Sequence, residues 1–281
     1  MTTADADLAL AARVASAPQP LRLQVASRAA AYLGVDDRAV CAVVEHHGVV
    51  VPDAVVLAPG VSWEALLDAH LRDGAPVLLG EGRLRCGERS VAVRATRDTR
   101  VLPDAGLSPA DAARARARLL ARAGRTTDRP GLAHAWTGGH ATPAALVTDA
   151  PGLVGRGPGL TPSGDDLCSG VLLVHRLAGT PGTAAAARLL DDLAPRRTTA
   201  ASTLLLRAAG EGRAAPVVGR ALTTLLDATA SGPALDTVVD ALLALGHTSG
   251  ADLAAGLVDG LDAVVHAGSA TLDPSHERNC A

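Results

Sequence analysis

The sequence predicts an α+β protein, with an antiparallel, β-rich, barrel-like N-terminal domain over 1–105 and a helical domain over 106–281. Three observations carry that reading. Between about 21 and 102, short Val-rich runs are punctuated by Gly and Pro, whereas from about 108 onward the pattern is helical. The length, 281 residues, suits two domains. The chain has no Phe, one Tyr and two Trp, so Ala, Leu and Val must fill the interior, and Ala-rich packing favours close helix pairs over stacked sheets.

Residues 4–16 read as a short Ala-rich helix stopped by Pro18 and Pro20. Ala39–Val44, Gly48–Val51 and Ala54–Leu57 read as strands, rich in Val and punctuated by Gly48 and Pro52. A helix is predicted at Trp63–Arg72, with Ser62 as N-cap and Glu64 in the first turn. Val77–Leu79, Arg83–Cys86 and Ser90–Ala95 complete the β part, the last two joined by a tight turn around Gly87. Ser108-Pro109 opens a helix that runs to Arg122, an N-cap followed by Pro at the first position. Further helices are predicted at about 140–149, 164–178, 182–193, 197–210, 214–229, 233–245 and 250–267. Gly179–Gly182, Pro195, Gly210–Gly212, Gly232–Pro233 and Gly246 separate them, and the tail after Gly268 is expected to fray.

Composition excludes some functions. A net charge of −3, without a basic stripe or stacking aromatics, argues against nucleic acid. The four cysteines are scattered (Cys41, Cys86, Cys168, Cys280), which speaks against a zinc ribbon or a disulfide framework and for free buried thiols. The N-terminus carries acids where a signal peptide has basic residues, and no uninterrupted apolar run reaches about 18 residues, so a cytoplasmic protein without a membrane span is expected.

The chemistry concentrates at two related turns, GPGLTPSGDDL at 157–167 and GHTSGADL at 246–253, each opening a helix. Ser163-Gly-Asp-Asp-Leu-Cys-Ser-Gly170 aligns with Ser249-Gly-Ala-Asp-Leu-Ala-Ala-Gly256, the pattern of an internal repeat with two helix starts facing one site. Ser163 with Asp166 and Ser249 with Asp252 fit the capping-box form, which gives both acids a structural role. Gly170, Gly256 and Gly260 form small-residue stripes for close helix approach. Asp165 has no counterpart, since Ala251 stands in its place. It is a candidate for proton transfer or, with Asp166, for Mg2+. An acid at this place also gains about 0.3–1 kcal/mol from the helix dipole alone.

Gly155–Gly164 holds four glycines and two prolines, a backbone suited to bringing Gly159, Thr161, Ser163 and Gly164 close to an anion at a helix N-terminus. It is not a Walker loop, because Asp165 occupies the lysine position. Ser249 and Gly250 offer the same chemistry in the second turn. Arg197, Thr199 and Ser202 form a further candidate anion wall, equally readable as a solvated helix start. Among the histidines only His247, inside the second turn, is placed to act as acid, base or donor; His134, His140, His46 and His47 show no ligand spacing.

These residues carry a resemblance. The string G-x-G-x-G-L-T-P-S-G-D-D from Gly155 to Asp166, the RTT-x-x-S segment at Arg197–Ser202 and the G-x-[ST]-S-G-x-D-x-x-x-G run at Gly246–Gly256 resemble the AllH-like family, which includes a subunit of the oxamate carbamoyltransferase of anaerobic allantoin breakdown. The resemblance implies a hetero-oligomeric carbamoyl-transfer assembly in which oxalurate and phosphate give oxamate and carbamoyl phosphate. Three functions compete. One is an enzyme subunit that binds a small anion at the two turns. Another is a non-catalytic partner, associating with other subunits or with itself. The third is a stand-alone Mg2+-dependent hydrolase of a small amide or phosphate.

Overall fold

The computed structural model describes residues 3–101, 106–123, 136 and 139–270. The first part runs β1 Thr3–Asp7, a 3-10 turn at Leu8–Leu10, α1 Ala11–Ala15, β2 Gln19–Ala26, β3 Ala30–Val35, β4 Arg38–Val44 and β5 Ala54–Leu57. It continues with α2 Trp63–Leu66, α3 Asp68–Asp73, β6 Val77–Gly80, β7 Arg83–Cys86 and β8 Arg89–Arg97. The strands close a barrel in the order β1-β5-β4-β3-β2-β6-β7-β8. Closure makes two seams parallel, β1 with β8 and β4 with β5, so the barrel is mixed rather than purely antiparallel.

The N-terminal helix expected over 4–16 shrinks to α1. Residues 3–7 form the closing strand instead, with Ala4 and Ala6 buried and Asp5 exposed. Pairing on both edges overrides the helix preference of alanine. Gly48–Val51 is not a strand either. The chain from 45 to 53 must travel back outside the barrel so that β5 can pair parallel to β4, and Val51 buries on the way. Ser62 caps as expected, accepting from the Glu64 N–H at 3.1 Å, but the helix breaks at Leu67.

Period-two alternation divides the middle strands between two interiors. Ala31, Leu33, Cys41, Val43, Val55 and Leu57 point into the barrel. Ala30, Tyr32, Ala42, Val44, Ala54 and Val56 point outward and meet Ala201 and Leu204 of the helical part. The barrel is therefore docked on the helices through one apolar face.

The helical part comprises α4 Pro109–Ala123, α5 Pro143–Leu153, α6 Ser163–Ala178, α7 Thr183–Arg197, α8 Ala200–Gly210, α9 Pro216–Leu226, α10 Gly232–Leu243 and α11 Ser249–Ala270. Ser108 caps α4, accepting from the Asp111 N–H at 3.1 Å. Pro195, expected as a separator, lies in the last turn of α7, where it removes only a terminal backbone bond. Helix α6 is buried on nearly every side, which makes it the axis of this part. Among the described residues no helix is long and apolar enough to cross a membrane. Cys41, Cys86 and Cys168 are free and buried, and burial pushes the Cys41 thiol up to about 12. His134, Cys280, the tail from 271 onward and the 105/106 boundary lie outside the described residues.

Candidate functional site

The two turns are built alike. In each, a helix ends, a loop reverses the chain, and Ser-Gly opens the next helix: α5 into α6, and α10 into α11. The glycine after each serine explains the pairing. A Cβ at Gly164 would sit 2.0 Å from the Leu153 carbonyl oxygen, and one at Gly250 would sit 2.1 Å from that of Leu242. Both glycine N–H groups donate back into the loop, to Arg156 O and to Leu245 O, each at 2.9 Å.

Helices α6 and α11 then cross reciprocally. A Cβ on Gly170 would meet the Leu253 oxygen at 2.6 Å, and one on Gly256 would meet the Leu167 oxygen at 2.1 Å. Leu167 and Leu253 occupy matching places in the repeat. The pair is thus related by an approximate twofold, and its two starts touch where the Thr161 and Ser249 hydroxyls share a hydrogen bond of 2.6 Å.

The capping boxes expected at these starts do not form in α6. Pro162 is its N-cap, no side chain caps it, and the Asp165 and Asp166 N–H groups bond to the Pro162 carbonyl. Thr248 serves in the same way for α11, taking the Ala251 and Asp252 N–H groups at 3.0 Å. Each serine is therefore inside the helix, one place later than a cap, and each acid is one turn in, with Asp166 turned toward Ser249 at the opposite helix start. The sequence spacing alone does not distinguish these two frames.

Between the barrel and the two turns lies a cavity of about 610 Å³. The barrel side contributes Ala30, Tyr32 and the outer segment with Val51 and Pro52. The first turn contributes Pro158–Thr161, with Asp166, Ser169 and Leu173 from one face of α6; the second contributes Leu245–Ser249 and Leu253. Most of the wall is apolar, and its polar groups gather where the helices start. Asp166 is 5% exposed and Ser169 6% exposed, and neither Asp166 Oδ2 nor Ser169 Oγ has a hydrogen-bond partner within the protein. Burial pushes the Asp166 carboxyl up to about 8, the Ser249 and Thr161 hydroxyls pull it back, and the Asp252 and Asp165 carboxylates push it further up. Burial thus favours the protonated form of Asp166.

Of the residues singled out from the sequence, Gly159, Thr161, Asp166, His247 and Ser249 line this cavity, with His247 exposed at its mouth. Ser163, Gly164, Gly250 and Asp252 sit behind it in the helix packing, and Arg197 is exposed at the end of α7. Asp165 is buried but is not part of the wall. Its Oδ1 accepts the Gly155 N–H at 2.8 Å and its Oδ2 accepts the Thr198 hydroxyl, while burial raises its pKa against those bonds. Thr199 caps α8, accepting from the Ser202 N–H at 3.1 Å, and donates its hydroxyl to the Leu160 carbonyl. Asp165 and Thr199 thus tie the glycine loop to the α7–α8 corner. Gly155 has a φ of +80°, and a Cβ there would sit 2.1 Å from the Arg197 oxygen, so only glycine fits.

Sequence reasoning missed Arg213, which also lines the cavity. Arg213 is 8% exposed and pairs both guanidinium nitrogens with Asp53 of the barrel, at 3.0 and 3.1 Å. It also reaches Asp7 at 3.2 Å and Glu211. Asp7 accepts in addition from the Asp53 N–H at 2.9 Å and the Thr99 hydroxyl at 2.6 Å. Against burial, which lowers it, Asp53 and Glu211 hold the Arg213 pKa above its ordinary value; burial raises Asp53 although Arg213 pulls it down. These residues come from distant parts of the chain with no motif among them, so only the fold reveals the network.

No solved structure matches the chain. Over residues 153–261, a stretch from the end of α5 into α11 that contains both turns, the chain is similar to the family described as oxamate carbamoyltransferase subunit AllH.

Proposed function

We propose that this chain is a subunit of a carbamoyl-transferring assembly and that its cavity holds a small amide- or carbamoyl-bearing molecule, such as oxamate or oxalurate, against Asp166. One observation carries this reading. Asp166 Oδ2 and Ser169 Oγ are buried, lack partners within the protein, and stand together in the wall of the cavity. Unsatisfied buried polar atoms are rare, and a bound polar ligand satisfies them.

The chemistry of the wall fits that ligand class. A protonated carboxyl donates from one oxygen and accepts at the other, which complements the carbonyl oxygen and N–H of an amide. Because Asp166 is held near pH 8, it gives a proton readily and takes it back. When a phosphate oxygen attacks the ureido carbon of oxalurate, the C–O bond forms and the C–N bond breaks. The departing oxamate nitrogen then takes a proton, which Asp166 supplies; in the reverse direction Asp166 receives it. The anionic end of the ligand is placed at the α6 and α11 starts, where the helix dipoles favour negative charge. A neutral Asp166 does not repel that anion. His247 at the mouth is placed to meet the ligand as it enters, and partner subunits complete the assembly.

Thermal-shift measurements with oxamate, oxalurate, carbamoyl phosphate and phosphate, each with and without Mg2+, test the reading. A ligand at 100 times its dissociation constant stabilises by about 2.7 kcal/mol. A shift with an amide-bearing ligand that vanishes in Asp166→Ala and weakens in Ser169→Ala is expected. If every ligand leaves the wild-type protein and its assembly with partner subunits unshifted, the cavity is not a substrate site. A shift that depends on Mg2+ and disappears in Asp165→Ala would restore a metal held by Asp165 and Asp166.

A further inference from the structure

We propose that His140, Asp262 and His266 form a binding site for a borderline divalent cation such as Zn2+, independent of the cavity. Asp262 and His266 lie one turn apart on the same face of α11, well along the helix from the cavity-lining Ser249 and Leu253. His140 comes from the segment that precedes α5. One ligand atom from each of the three lies within 4.8 Å of the others. Asp262 Oδ2 stands 3.4 Å from His140 Nδ1 and 3.3 Å from His266 Nδ1, and the imidazole centroids are 4.2 Å apart. Ligands held at about 2.0–2.1 Å in a tetrahedron lie roughly 3.3–3.4 Å from one another, so the Asp262–His separations are compatible with a zinc shell once His266 Nδ1 gives up its 2.9 Å hydrogen bond to the Asp262 carbonyl.

Three features show a built arrangement rather than a chance meeting of exposed side chains. The segment carrying His140 is pinned on both sides: the Trp136 indole N–H donates to Asp259 at 2.9 Å, and the Ala141 carbonyl is bonded to His175 Nε2 inside the helical core. Arg116 holds Asp262 Oδ1 at 2.9 Å, which leaves Oδ2 turned to the two imidazoles. His140 Nδ1 is itself a buried atom without a hydrogen bond, and its polar neighbour is Asp262 Oδ2, the oxygen that would share the ion.

Two imidazole nitrogens and one carboxylate oxygen suit zinc, cobalt or nickel, whereas magnesium prefers an all-oxygen shell. Water completes the coordination. Binding there staples the 139–142 segment to α11, and Thr142 in that segment caps α5, which leads into the first turn.

The experiment uses the untagged full chain, stripped with EDTA. It is titrated with ZnCl2 by calorimetry and with CoCl2 by visible absorption, alongside His140→Gln, His266→Gln and the double variant. One saturable Zn2+ equivalent, tetrahedral Co2+ bands and silence with MgCl2 are expected. Each single change should weaken binding more than about tenfold, the lower end of what losing even an outer-shell partner costs a metal site. Thermal unfolding in EDTA should match the wild type, showing that the variants fold. Absence of saturable Zn2+ binding to the wild type overturns the proposal, as does undiminished binding by the folded double variant.

Discussion

The first and second turns share one plan and differ in one residue that matters. Both pack a glycine under the end of the preceding helix, and both carry an acid one turn in. The first turn has the longer loop, 154–162 against 244–248, and Asp165 where the second has Ala251. Asp165 ties that loop down through Gly155 and Thr198, and the shorter loop has Ala251 buried at the matching place. Of the two adjacent carboxylates, the one without a counterpart is thus a fastening, and the one repeated in both halves faces the cavity. Repetition marks the site here and novelty marks the support.

The largest expected effect lies outside both turns and measures what the barrel adds to them. Arg213→Met leaves Asp53 and Asp7 buried without their cation, a change that costs about 3–5 kcal/mol. Urea unfolding should show that loss. A cost under about 1 kcal/mol would mean that the Arg213 network adds little to the docking of the barrel on the helices, which then rests on the apolar face and on Arg38 and Arg207.

The approximate twofold is tested at its crossing. Gly170→Val and Gly256→Val each force a side chain into the backbone of the opposite helix, and overpacking of this kind costs about 1–3 kcal/mol or more. The two losses should be of similar size. A tolerated Gly256→Val beside a crippling Gly170→Val would break the comparison, because it would show that only one half depends on close approach.

Asp165→Ala makes the first turn a copy of the second at this position. It leaves the Gly155 N–H and the Thr198 hydroxyl without their acceptor, at a cost of about 1–3 kcal/mol. Ligand affinity should stay near wild type where the protein is folded, since Asp165 is not in the cavity wall. Lost binding with undiminished stability would reverse the roles assigned to the two acids.

How much of this was legible in the sequence follows from what each feature depends on. The repeated Ser-Gly-x-Asp string and the Gly stripe are local and periodic, so they located both turns and the helix crossing. Strands β4 to β8 were readable for the same reason, whereas β2 and β3 were not singled out. Residues 3–7 were not, because alanine-rich alternation is indistinguishable from a helix until β5 and β8 supply partners. The capping frame failed by one residue, since Pro162 and Thr248 cap through backbone geometry that leaves no side-chain signature. Arg213, Asp53 and Asp7 meet only through tertiary structure, and so do His140 and His266.

Asp166 offers the finest test, through pH. Its folded pKa is raised to about 8, above the ordinary carboxylate value of about 3.9 that it has when unfolded. Between those values the folded chain holds a proton that the unfolded chain has released. Stability from this group is therefore fully present below about pH 4 and is lost as pH rises through about 8. Asp165, Asp53 and Asp259 are also raised by burial and add slopes of the same sign, so the wild-type curve alone does not isolate Asp166. The comparison with Asp166→Asn does, because the amide keeps the shape and never ionises. Urea midpoints measured from pH 5 to 9 should fall with pH in both proteins and fall less in the variant, the difference in slope approaching about 1 kcal/mol per pH unit. Parallel curves would mean that Asp166 is ionised in the folded protein at neutral pH. It would then lack the proton that the carbamoyl-transfer reading assigns to it, while its place in the cavity wall would stand.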